Sequence, residues 1–234
     1  MIITFGLLVA CNTPSPKKVE NEAMEIILKS VDKSGGMESW NSIDTLSFHK
    51  KSVLYLKDSA IESSSEQYQE FVFKPFFQVS LVWRDQSNKK TVYDGRYTTS
   101  YVGEEQLDRV EGMSASIASA FYVISKPFNL IWDKELLSYE GLRVLSGDTL
   151  HTVKVNYAHS NPSQDTWWYY INTDYSYWGS KVFHAPTYAL IENTEVDIST
   201  GFTFPSYRRS YRIDSLNNIE FLRAEFWYSD YAIK

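Results

Sequence analysis

The sequence predicts a mainly β domain of the α+β kind, in which one long antiparallel sheet is covered by a leading helix and a second helical segment. Three observations point there. Apolar residues recur first at helical spacing and then, from Ile43 onward, mostly at a spacing of two. No regular alternation of strands with helices supports a parallel α/β arrangement. About ten strands in a single sheet cannot stay flat, so the sheet is expected to curl into an open or partial barrel.

The helix runs from Val19, with Val19, Ala23, Ile26, Ile27 and Val31 on one stripe and Glu20, Glu22, Glu25, Lys29 and Asp32 around the rest. Gly35-Gly36 stops it. Strands then read over Thr45–Leu56, Gln67–Phe73, Phe77–Trp83 and Lys90–Tyr93, with Asp94-Gly95 as the hairpin turn into Tyr97–Tyr101. Met113, Ile117, Phe121 and Ile124 restore helical spacing, and Pro127 and a loop through Phe128, Leu130, Ile131 and Trp132 complete the insertion. The remaining strands are Arg143–Ser146, Thr152–Tyr157, Thr166–Ile171, Ser180–His184, Tyr188–Ile198, Phe202–Ile213 and Ile219–Tyr228. Thr200-Gly201 and Asn217-Asn218 supply the last turns.

The 234 residues, 43% hydrophobic and 22% charged, suit a single globular domain. With 23 basic against 29 acidic residues, the charge of −6 disfavours nucleic acid as a partner, since affinity for phosphates needs a basic surface. The unusual quantity is the aromatic content of 16%, made of 7 Trp, 17 Tyr and 13 Phe. Several strands carry large apolar residues on both faces, as in Trp167-Trp168-Tyr169-Tyr170-Ile171. In the last strand, Ala224, Phe226 and Tyr228 share one parity and Trp227 takes the other. Such strands need cover on both sides or enclose a cavity.

The N-terminal segment speaks of location. Ile2 to Ala10 is an uncharged apolar run, too short for a bilayer span of about 20 residues. It matches the apolar core of a secretory signal, although no Lys or Arg precedes it. Leu8-Val9-Ala10-Cys11 resembles a bacterial lipobox, whose cysteine is acylated and becomes the new N-terminus, and Cys11 is the only cysteine. The expected division is residues 1–10 as signal peptide, 11–18 as lipidated Cys11 and a Pro-rich tether, and 19–234 as the domain. Acyl chains supply about 0.8 kcal/mol per buried CH₂, and stable attachment takes about two chains, so the membrane is an expected partner.

Signatures of catalysis are missing. His49, His151, His159 and His184 lack metal-binding spacing, and there is no G-x-S-x-G elbow, P-loop or G-x-G-x-x-G, so no catalytic residue, metal or cofactor is assigned. Arg208, Arg209, Arg212 and Arg223 fall on the last two strands. They suit either an anionic headgroup at a cavity mouth or cross-strand pairing with Glu192, Glu220 and Glu225. Counting back from the Ser199-Thr200-Gly201 turn places Glu192 opposite Arg208.

The order of helix, curled sheet, helical plug and further sheet behind a lipobox resembles the LolA-like group of lipoprotein carriers and outer-membrane lipoprotein-sorting proteins. The stretch Ser34-Gly35-Gly36-Met37-Glu38-Ser39-Trp40-Asn41-Ser42-Ile43, with Thr45-Leu46-Ser47-Phe48, is similar to the opening of an uncharacterised Gram-negative lipoprotein family in that group. Asp165–Tyr170, Tyr207–Arg212 and Leu222–Phe226 fit the same family. The resemblance implies a half-barrel whose hydrophobic cavity shields a lipid or acyl chain, in a non-enzymatic lipoprotein of the cell envelope, anchored at the outer membrane and facing the periplasm. Trp132, Trp167, Tyr169, Phe226, Tyr228, Arg209 and Arg223 are expected to form the ligand site, and an envelope protein partner stays open. The alternative is a carbohydrate-binding or adaptor lipoprotein that displays Trp167, Trp168, Tyr169 and Trp178 to solvent.

Overall fold

The computed structural model describes residues 16–84, 88–157 and 165–234. Cys11, the expected signal peptide and residues 12–15 of the expected tether lie outside them. Helix α1 spans Pro16–Lys33, so it begins ahead of the expected Val19. Proline suits that first position, where its missing N–H would find no helical partner. Ala23, Ile26, Ile27 and Val31 are all buried, as their spacing predicts. Gly35 and Gly36 take φ of 123° and 83°, and the Gly36 N–H donates back to the Val31 carbonyl at 2.9 Å, which ends the helix. Helix α2, Met37–Ser42, goes beyond the sequence expectation, because Trp40 is its one buried residue and leaves no period to read.

Thirteen strands follow among the described residues. The first six are β1 Thr45–Tyr55, β2 Ile61–Val72, β3 Gln78–Trp83, β4 Lys89–Tyr93, β5 Tyr97–Val102 and β6 Glu105–Glu111. Helix α3, Ala115–Ser125, and a 3-10 stretch Phe128–Leu136 kinked at Asp133 come next; the latter replaces the expected loop. The others are β7 Leu137–Leu145, β8 Asp148–Asn156, β9 Thr166–Asn172, β10 Tyr177–His184, β11 Thr187–Asp197, β12 Phe204–Ile213 and β13 Ile219–Ile233. The sequence marks out twelve of the thirteen, and the strand it does not mark is β6, exposed along its whole length, which carries no alternation of burial. Its Glu105, Asp108, Arg109 and Glu111 are the charges that keep an edge strand from pairing with another chain.

All strands form one antiparallel sheet in the order β6-β5-β4-β3-β2-β1-β13-β12-β11-β10-β9-β8-β7. The first and last strands meet in the middle, where Asp44 and Thr45 donate to the Lys234 carbonyl and the Lys234 N–H returns to Thr45. Each arm is a meander, and β6 and β7 are its two unpaired edges, so the sheet is an open half-barrel and not a closed one. The chain between β6 and β7 must therefore pass from one edge to the other. That segment is α3 with the 3-10 stretch, and it crosses the concave face. Phe121 meets Phe71 and Phe77 of one arm, with ring centroids 6.3 and 4.9 Å away, and Tyr122 meets Trp167 of the other at 4.8 Å.

The main core fills the concave side. Leu46, Phe48, Phe71, Phe204, Ile117, Ile124, Phe128 and Ile27 are all fully buried, each contributing about 1.5–3 kcal/mol over an exposed position. Trp40 stacks on Phe128 at 4.4 Å with rings 5° apart, which ties α2 to the 3-10 stretch. A second, smaller cluster on the convex side joins Leu150, Tyr170, Leu190 and Ile213 with Trp168, Trp178, Tyr188 and Tyr211. Both faces of β9 are thus used: Trp167, Tyr169 and Ile171 inward, Trp168 and Tyr170 outward.

One expected register is corrected. Glu192 faces Arg209, and Asn193 faces Arg208. The connection between β11 and β12 runs over residues 198–203, an even number, whereas a turn centred on Thr200 presumes an odd one. A slip of one residue exchanges the faces of the strand.

Candidate functional site: a covered cavity on the concave face

Between α3 and strands β1, β9, β11, β12 and β13 lies a cavity of about 700 Å³, within the roughly 300–1,000 Å³ usual for small-molecule sites. Phe121 and Tyr122 from α3, Trp167 and Tyr169 from β9, and Phe226 and Tyr228 from β13 provide aromatic walls. The helix is placed for this by its cap and its spacing. The Ser114 hydroxyl accepts from the Ile117 N–H, Ile117, Ala120 and Ile124 bury one stripe against the sheet, and Phe121 and Tyr122 are left to face the cavity and the two arms.

Four of the predicted site residues, Trp167, Tyr169, Phe226 and Tyr228, are brought together here. Trp132 is not among them. It is 63% exposed on the 3-10 stretch and borders a separate groove with Trp40, Phe73 and Phe77. Arg209 points to the convex face, where its Nη1 donates to the Tyr211 hydroxyl at 3.2 Å. Arg223 donates to the Tyr55 carbonyl at 2.7 Å and pairs with Glu62 at 2.5 Å, outside the cavity lining. Its partner is therefore on β2, not among the glutamates of the neighbouring strands.

Three cations line the cavity instead: Lys50, Lys126 and Arg208. A signal for Lys50 was present in the sequence, since it shares its parity with the inward Phe48. Arg208 required the register, and Lys126 required the path of the segment after α3. Burial and the nearby Arg208 hold Lys50 down to about 8. Burial holds Lys126 down to about 7, against the opposing pull of Asp133. The Lys126 ammonium donates to Asn129 Oδ1 at 2.6 Å and sits 5.2 and 5.0 Å from the ring centres of Tyr122 and Tyr169. Burial also raises the phenols of Tyr122 and Tyr169 well above their ordinary value, so both stay protonated and keep an O–H to offer. Asp165 is the acidic residue in the lining, and it is bonded to His184 Nδ1 at 2.6 Å.

The other histidines in the described residues are spread apart. His49 lies against Tyr68, and His151 bonds Tyr139 at 2.9 Å and stacks on Tyr175. Among the described residues no group of three His, Cys, Asp or Glu side chains could hold a metal ion, and no helix is long and apolar enough to cross a membrane. The cavity as built can enclose an apolar molecule and offer it hydrogen-bond donors and positive charge.

An open antiparallel half-barrel with a helical plug over its concave face defines the LolA-like fold class. Solved structures bear this out at the level of the fold. A DUF1329 family protein from Desulfovibrio piger ATCC 29098 superposes with a TM-score of 0.61 at 10% identity, over 92% of this chain and 93% of that one. A domain described as an outer membrane lipoprotein-sorting protein, from Vibrio parahaemolyticus, gives 0.58 at 9% identity, over 92% and 93%. A LolA superfamily protein from Nitrosomonas europaea gives 0.56 at 8% identity, over 91% and 94%. No protein-family model matches the sequence, and no curated protein does.

Proposed function

We propose that this chain is a lipid-anchored lipoprotein of the cell envelope that holds a hydrophobic ligand, a lipid or acyl chain, in the covered cavity without performing a reaction on it. The observation that carries this reading is the cavity itself, about 700 Å³ and walled by aromatic rings under α3. Anchoring rests on Leu8-Val9-Ala10-Cys11, and the outer membrane with the domain facing the periplasm is the proposed location. The carbohydrate reading asks for solvent-facing rings, which these residues do not offer. Tyr169 is 1% exposed, Trp167 lines the cavity, the outward Trp168 is half-buried with the Lys181 ammonium 4.9 Å from its ring centre, and Trp178 is half-buried with its indole N–H donated to Asp148 at 3.0 Å.

Two measurements test the proposal. The purified full chain, offered a lipid extract and examined by native mass spectrometry, is expected to retain lipid at about one molecule per chain; a chain that never retains any contradicts the ligand reading. Cys11→Ser is expected to move the protein out of the membrane fraction, and its persistence there contradicts the anchor.

A further inference from the structure

The polar lining of the cavity is strongly biased toward donors around one point. Arg208 is 4% exposed, and its Nε has no hydrogen-bond partner among the described residues. Its guanidinium faces the phenols of Tyr228, Tyr177 and Tyr122. The Tyr177 phenol is buried beside the hydroxyls of Ser180 and Tyr122, and those two share a hydrogen bond of 2.9 Å. Lys50 approaches from the other side of β13. Strand pairing sets Tyr228 beside Lys50 and Phe226 beside Arg208, and the Lys50 ammonium lies 5.0 Å from the Phe226 ring centre. Neither cation forms an ion pair among the described residues.

Two like charges held close inside a protein, with no anion between them, oppose folding unless something neutralises them. Burial, and to a lesser degree the nearby Arg208, holds the Lys50 ammonium down accordingly. A carboxylate answers every feature of the place: it takes two parallel N–H bonds from a guanidinium, one from an ammonium and others from phenols. Apolar walls begin directly beside the cations, at Phe226 and Tyr228, and continue to Trp167 and Tyr169. An anion bound there would therefore have an alkyl chain lying against rings.

We propose that Arg208 and Lys50 receive the carboxylate of a single-chain fatty acid, held head inward with its chain along the aromatic walls. The inference rests on the reading of the cavity as a lipid site and adds the sign and position of the headgroup. Lys126 is not needed for it, because its ammonium is already engaged by Asn129.

The test is calorimetric titration of the full chain carrying Cys11→Ser, near neutral pH, with dodecanoate, 1-dodecanol and acetate. Dodecanoate is expected to bind at least about tenfold tighter than the alcohol, and acetate not measurably. Lys50→Met and Arg208→Gln are each expected to weaken dodecanoate by about tenfold or more and to leave the alcohol within about threefold. Equal affinity for acid and alcohol, or tighter binding of the alcohol, overturns the headgroup assignment while the lipid cavity stands. Acetate as tight as dodecanoate overturns it in favour of a simple anion site. If neither long-chain compound binds and native mass spectrometry finds no lipid either, both readings fall. The wild-type comparison of acid with alcohol needs no variant, so the assignment stays falsifiable should Arg208→Gln fail to fold.

Discussion

Arg208 and Arg209 are neighbours in the chain and stand on opposite faces of the sheet. Arg208 lines the cavity across from Asn193, and Arg209 lies across from Glu192 on the convex side, with Glu225 as its neighbour on β13. Two chemically equal side chains thereby acquire unequal surroundings, one enclosed by phenols and the other by a surface network of Glu192, Glu225, Tyr207 and Tyr211.

Arg209→Gln is accordingly expected to change stability by less than about 1 kcal/mol, as for other charges near a surface. Affinity for dodecanoate should stay that of the parent. Urea denaturation and calorimetry check the two statements, and a tenfold loss of affinity would mean that the convex face contributes to binding.

Ala118 lies on α3, lines the cavity and is exposed, so it sits where the cavity meets solvent. Ala118→Trp puts an indole into that opening without entering the packed stripe of Ile117, Ala120 and Ile124. Long-chain ligand affinity is expected to drop by about tenfold or more, the equivalent of roughly 1.4 kcal/mol. Thermal unfolding of the unliganded protein should be little changed. Unaltered affinity would place the ligand elsewhere.

Lys126 offers a prediction in pH. Its folded value of about 7 lies below the usual lysine value near 10.4. Between those two values the unfolded chain holds a proton that the folded chain has released, so this group makes stability rise with pH across the window. Below it the buried charge costs the folded state in full. Lys126→Met is therefore expected to be more stable than the parent at about pH 6, by roughly 1–3 kcal/mol, with the difference shrinking as pH climbs toward about 10. Denaturation curves of both proteins across that range provide the check; a difference independent of pH counts against the assignment.

Gly179 stands where the pairing of β10 with β9 shifts register, opposite Glu192 of β11. A Cβ there would lie 2.1 Å from the Ile191 carbonyl oxygen, a backbone atom with no easy way to retreat. Gly179→Ala is expected to cost about 3 kcal/mol or more, since the strands must separate to admit it. A change under about 1 kcal/mol in chemical denaturation would show that β10 and β11 can shift locally.

Legibility in the sequence followed local regularity. The stripe of α1, the Asp94-Gly95 hairpin and α3 were readable because each states its period or turn chemistry within a few residues. In the turn, the Asp94 carboxylate accepts from the N–H groups of Arg96 and Tyr97, as that dipeptide leads one to expect. β6 and α2 were not readable, since a wholly exposed strand and a helix with one buried side chain show no pattern. Trp167, Tyr169, Phe226 and Tyr228 line one cavity, and the signal for them was that strands with large apolar residues on both faces demand cover. Trp132 obeys no such rule, and its position depends on the kink at Asp133.

Sequence alone determined the order of the elements other than α2 and β6, the curling of a long antiparallel sheet, the helical plug and the aromatic character of the walls. These are properties of composition and period, and they survive an error of one residue. Which side chain of an adjacent pair enters the cavity does not survive it. Arg208 and Lys50 became neighbours of one space only through the pairing of β1, β13, β12 and β11, where a connection of even length between the last two sets the register and a period of two turns each step into a change of face.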